Sequence, residues 1–322
     1  MSPAAVDPDA VRAAAAAVLG AVAADPRYAR TAHLQVRLGS EVVVDEHLRG
    51  PYRGDVFSVT KTVLALALAV AAREGRLPPL DQPVAVVLPA LRGTAAETHT
   101  WTQLLAMTRG AETGGSWDVD QVTALPGGQV AHLARAPQRT PPGSRFAYDN
   151  GASHLLSAAA GAVLGEPVAD YTARELLAPL GIPAPRWDRD PDGVPFGYGH
   201  LRLAADDLGR LGRLLLDGGR VAGRPLLDPG FLAAMTTAQT PGGPPEERAY
   251  GYHVWLDDGM PLAGGWAGQH LLVVPDADAV VVATGDAGFD PGPPPTDAMP
   301  PDWQPALTLV RAHLLPVLRG TR

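Results

Sequence analysis

The sequence predicts an α/β (α+β) fold: one antiparallel sheet flanked by N- and C-terminal helices, with an all-helical lobe inserted between its halves. Three observations carry this. Strand-like runs fall only near the two ends of the 322 residues. The middle reads as helix and long loop. A chain of this length is long for one core and comfortable for a large domain with an inserted lobe. The expected partition is 1–62 with 203–322 for the sheet domain and 63–202 for the lobe.

Taken in order, Pro8 to Ala24 reads as a surface-packed first helix. It is alanine-rich, and Asp7 and Asp9 precede its apolar run Ala13–Ala24, where a signal peptide would carry positive charge. His33–Leu38 and Glu41–Asp45 are strand candidates joined by a Gly39-Ser40 hairpin turn. Val59 to Arg73 is apolar nearly all round, which predicts a buried helix, and Gly75 ends it. Trp101 to Gly110 is a short helix ending at glycine. Ala152–Leu164 and Tyr171–Leu180 are further helices. Pro183–Gly199 is a Pro- and Gly-rich loop. Leu203–Gly218 has leucines at helical spacing with Asp206 and Asp207 in its first turn, and Pro225–Met235 is another short helix. Tyr250–Leu256, Trp266–Val274 and Ala279–Thr284 read as three consecutive antiparallel strands. The Pro-rich stretch 290–301 is a loop, and Pro305–Leu318 is a closing helix.

Composition narrows the function. Net charge is −8 and the arginines are scattered, so nucleic acid and anionic membrane are not expected as partners. Cysteine is absent, which rules out disulfides and thiolate metal sites and suits a cytoplasmic location. The nine histidines show no metal-ligand spacing, and neither a metal nor a cofactor is expected.

The informative stretch is Phe57-Ser58-Val59-Thr60-Lys61. Lys61 is the only lysine; every other permanently cationic side chain is arginine. Guanidinium cannot lose its proton, whereas a desolvated lysine can, and so can act as a base. Ser58 lies one helical turn earlier on the same face. At the start of a buried helix its oxygen meets free N–H groups and the positive end of the dipole. A helix cap plus a snorkelling lysine is the alternative, which the apolar neighbours oppose. The only asparagine, Asn150, lies in Tyr148-Asp149-Asn150. Together the residues predict acyl transfer through a serine ester. Ser58 is the nucleophile, and neutral Lys61 or Tyr148 as phenolate is its base; the sequence leaves that choice open.

The S-x-x-K and Y-x-N pair resembles the serine β-lactamase and penicillin-binding-protein superfamily, in its Y-x-N branch. That branch includes class C β-lactamases, D-aminopeptidases, family VIII carboxylesterases and 6-aminohexanoate-dimer hydrolases. The resemblance implies a β-lactamase/transpeptidase-like fold. It also implies that Asn150 bonds both Lys61 and the substrate amide, and that the oxyanion hole is formed by the backbone N–H groups of Ser58 and Trp266. The third family motif, K-T-G or H-x-G, is matched best by Ala263-Gly264-Gly265, which has no cation; this argues against β-lactam substrates. By the same resemblance Trp117, Tyr198, His200, Gly264 and Gly265 are candidate pocket residues. The expectation is an esterase or amidase on a small-molecule acyl substrate, with acyl transfer or a catalytically silent binding protein as alternatives. Its oligomeric state is not legible.

Overall fold

Helix α1 (Pro8–Ala24) starts at an Asp7 cap, whose carboxylate accepts the Asp9 N–H, and has proline at its first position. Its buried side chains Val11, Ala14, Ala15 and Val18 recur at i, i+3, i+4 and i+7, which is one stripe. The computed structural model describes residues 6–288 and 299–320. The chain forms two compact units: Met1–Val59 with Arg202–Asp217 and Met260–Arg322, and Thr60–Leu201 with Gly218–Gly259.

In the first unit β1 (Thr31–Leu38) and β2 (Glu41–His47) form the expected hairpin. The sheet runs β2, β1, Ala279–Gly285, Gln269–Val274, Met260–Gly265, and every neighbouring pair is antiparallel. β1 is buried along most of its length because both faces are covered. The helix Ala205–Leu216 lies on one face. A Cβ on its Gly212 would fall 2.5 Å from Val280 and 2.8 Å from Leu271, so the missing side chain lets backbone and sheet meet. By strand alternation Leu34 and Val36 point to the other face. α1 packs against the C-terminal helical segment Leu307–Leu318. Asp206 and Asp207 begin the helix Ala205–Leu216 as predicted; Asp206 pairs with Arg37, and Asp207 with Arg53 at 3.0 Å. Arg53 belongs to β3 (Arg53–Asp55), which pairs with Arg202–Ala204.

Two strand expectations change. The strand expected at Trp266 begins only at Gln269, because Trp266–Gly268 is a helical turn with Ala267 at φ +59°. Met260–Gly265 supplies a strand that its Pro and Gly content concealed. The single strand expected over 250–256 is two, Arg248–Tyr250 and Trp255–Asp257, with His253 between them at φ +54°. Most of the Pro-rich loop expected over 290–301 lies outside the described residues.

The second unit is built around helix α2 (Val59–Arg73), whose side chains are buried almost without a break through Ala71. A helix apolar on every side has no face for water, so its neighbours must surround it. Between residues 63 and 201 the described elements are helices and isolated bridges. The expected partition kept 203–322 together, whereas residues 218–259 group with α2. The contacts explain this: Asp228 N–H donates to Ala69 O at 3.0 Å, Thr62 Oγ1 to His253 O at 2.7 Å, and His253 N–H to Leu105 O at 3.1 Å.

Candidate active site

Ser58 immediately precedes α2 and is half-buried. The turn that delivers it is forced. Phe57 has φ +45°, a region costly for a residue with a side chain, and its N–H is held by Asp55 Oδ1 at 2.7 Å. The Val59 N–H then donates to Val56 O at 3.1 Å. Lys61 follows in the first turn of α2.

The end of strand Met260–Gly265 runs hard against this turn. A Cβ on Gly265 would lie 2.5 Å from Val56 O and 3.3 Å from Ser58 N, so only glycine fits. Gly265 also pairs with Gln269, and Gly264 with His270. Trp266 comes next, its ring meeting Phe57 edge-on at 5.1 Å. The backbone of Ser58 and that of Gly265–Trp266 are therefore brought side by side within the first unit.

In the second unit Lys61 is 1% exposed. Its Nζ donates to Tyr198 O at 3.3 Å and lies 4.7 Å from the centre of the Tyr148 ring. Burial holds the Lys61 pKa well below the usual lysine range, and the Asp149 carboxylate pulls the other way. The Tyr148 ring stacks on Trp255 at 5.6 Å and 14°. Beneath the lysine backbone lies His253, its Nδ1 3.3 Å from Lys61 O and its Nε2 3.4 Å from Ser153 Oγ. Burial first, and the Lys61 charge second, lower its pKa to about 3, so it is a neutral imidazole at ordinary pH.

Asp149 caps the helix Asn150–Leu164, accepting the Ala152 N–H at 2.9 Å. It also forms a two-pronged buried ion pair with Arg109, which donates further to Leu133 O at 3.3 Å. Gly151 makes room for this pair: a Cβ there would meet Arg109 Nη2 at 2.8 Å and Leu133 at 2.7 Å. Asn150 is the first residue of the helix.

Tyr148 also lines a cavity of about 820 Å³, with Thr108, Glu112, Phe146 and the segment Gln239–Pro244 among its walls. That is ample for a small organic substrate. The other expected pocket residues sit differently. Trp117 stacks on His132 at 5.7 Å and is not part of this wall. Tyr198 is 5% exposed with its hydroxyl 2.7 Å from Thr123 Oγ1, and His200 packs edge-on against Phe196 at 4.8 Å. Tyr198 meets Lys61 through its carbonyl, not its ring.

Sequence reasoning missed the Arg109–Asp149 pair, Trp255 and His253. The first left one trace: an aspartate at the cap of an apolar helix needs a cation if it is buried. Among the described residues no three His, Cys, Asp or Glu side chains converge to hold a metal ion.

The family model for beta-lactamase matches residues 11–298. No curated protein matches the chain. Solved structures share its fold at low identity. A protein described as a 6-aminohexanoate-dimer hydrolase from Bacillus anthracis is 18% identical, with TM-score 0.73, over 90% of this chain and 79% of that one. EstCE1, described as a hydrolase with promiscuous acyltransferase activity, is 19% identical, with TM-score 0.69, over 88% and 96%. A D-stereospecific amidohydrolase from Streptomyces is 24% identical, with TM-score 0.64, over 86% and 93%.

Proposed function

The chain belongs to the beta-lactamase family, and on that premise we propose that it is a serine hydrolase that cleaves small esters or amides through an acyl-enzyme on Ser58. The observation that carries the reading is the chain's only lysine, buried against Tyr148 and held toward its neutral form, three residues after a serine at a helix start. A neutral amine in that place has a basic lone pair that water does not cover.

In the first step Ser58 Oγ bonds to the substrate carbonyl carbon as its proton passes to the Lys61 amine. The carbonyl π electrons move onto oxygen, where the N–H groups of Ser58 and Trp266 receive the charge. The bond to the leaving alcohol or amine then breaks, and the ammonium returns its proton to that group, directly or through Tyr148. Water repeats the sequence on the ester, releasing acid and free serine. Asn150 orients the acyl amide and the lysine. The Asp149–Arg109 pair holds Asn150 and Tyr148 in register while cancelling most of a carboxylate charge that would otherwise keep Lys61 protonated. We assign the activity to the cytoplasm, a reducing compartment that a chain without cysteine suits.

A second reading, acyl transfer to an added alcohol or amine, draws on the roomy cavity and on the description of EstCE1. Product analysis with and without an added amine separates the two. The test of the main reading is intact-protein mass after a fluorophosphonate probe. The wild type gains one adduct and Ser58→Ala gains none. An unmodified wild type without a burst on an activated ester would instead support a silent binding protein.

A further inference from the structure

The cavity beside Tyr148 is walled by four ionisable side chains, Glu112, Arg139, Arg145 and Tyr148. Their charges are not equally available. The Glu112 carboxylate accepts Arg139 Nε at 2.6 Å and the N–H groups of Thr113 and Gly114, each at 3.0 Å. The Gly114 N–H first, then Arg139, hold its pKa below the usual range, so it stays ionised and spent on its neighbours. Arg139 is committed in return. Arg145 is exposed, lines the same cavity and makes no ion pair among the described residues. Two guanidinium groups against one carboxylate leave this cavity net positive, on a chain whose net charge is −8.

A free guanidinium fork on a cavity wall is shaped for a carboxylate. Arg145 shares this wall with Tyr148, three residues on. Ala111, Phe146 and Pro241 supply apolar wall. From these observations we infer that Arg145 selects substrates carrying a carboxylate. The assignment names the substrate class of the site and rests on the acyl-enzyme reading above.

The test compares matched esters. p-Nitrophenyl hemiglutarate and p-nitrophenyl valerate differ by a carboxylate on the acyl side. 4-Carboxyphenyl acetate and its methyl ester differ by one on the leaving group. For each pair the readout is the ratio of kcat/KM, charged over neutral. Arg145→Glu lowers the ratio at least about tenfold in one pair, mainly through KM, and Arg145→Ala lowers it less. Raising salt from about 20 mM to about 500 mM narrows the wild-type ratio. Glu112→Gln, which releases Arg139, widens it. The pair that responds shows which side carries the anion. A ratio within twofold of wild type in Arg145→Glu, for both pairs, overturns the assignment while Ser58-dependent turnover of the neutral esters leaves the acyl-enzyme reading standing. No Ser58-dependent turnover of any ester removes that reading, and the assignment with it.

Discussion

Replacing Arg109 by Met tests whether the buried ion pair serves the lysine. Arg109 and Asp149 are 1% and 4% exposed, so solvent screens almost nothing between them. Removing the cation leaves a carboxylate buried with one helix-cap N–H for compensation, a change that costs about 3–5 kcal/mol. The Leu133 carbonyl loses a donor as well. The catalytic consequence has a definite sign. Burial lowers the Lys61 pKa and Asp149 raises it. Only the neutral amine accepts the serine proton, so kcat/KM climbs as pH rises through that pKa. Without Arg109 the full Asp149 charge favours the ammonium, and the climb moves to higher pH by about one unit or more. The assay is kcat/KM for p-nitrophenyl butyrate from about pH 5 to pH 10, with urea unfolding of the same protein. Asp149→Asn combined with Arg109→Met returns the limb to or below its wild-type position. A limb that stays within about 0.3 unit in Arg109→Met refutes the electrostatic role of the pair. A stability loss under about 1 kcal/mol refutes its burial.

Other outcomes follow from the same contacts. Gly265→Ala drives a methyl group into Val56 O and Ser58 N. It is expected to lower kcat about 100-fold or more by spoiling one oxyanion donor, with KM little changed; activity within threefold of wild type contradicts the donor pair. His253 has its pKa lowered to about 3, so as pH falls below 6.5 the unfolded chain binds a proton that the folded one refuses. Its contribution to stability is therefore present above pH 6.5 and lost as pH falls toward 3. Between pH 6 and 5 this loss is about 1 kcal/mol in urea unfolding. It disappears in His253→Gln, and an unchanged pH slope in that variant is the contrary result. Trp255→Ala removes the face on which Tyr148 stacks and is expected to lower kcat more than it raises KM; a pure KM effect would make Trp255 a substrate wall instead.

The parts of the fold that showed in the sequence are those where local chemistry and burial agree. α2 is legible because Val59–Arg73 is apolar on every side and Gly75 follows. α1 is legible from Asp7, Pro8 and the alanine stripe. The hairpin is legible from Gly39-Ser40. Met260–Gly265 was not, because Pro261, Gly264 and Gly265 read as turn residues. Gly265 is required in that strand because the Val56 carbonyl approaches to within a Cβ's width. Trp266–Gly268 reads as extended in the sequence, since nothing in its residue types announces the positive φ of Ala267. At the site, Ser58, Lys61, Tyr148 and Asn150 stand out by rarity and spacing. Arg109 and Asp149 are forty residues apart, and no local pattern reports a pairing made only by folding. His253 had no signal, since a buried neutral histidine looks like any other in a sequence.

Acylation of Ser58 depends on the protonation of one amine, and the chain offers an unusually direct reading of it. Lys61 is its only lysine, so lysine labelled with ¹³C at Cε gives a single side-chain signal to titrate by NMR. The predicted result is an inflection well below 10.5, moving to higher pH in Arg109→Met. An inflection at the ordinary lysine value would mean that the amine is charged at working pH and that Ser58 has no base in it.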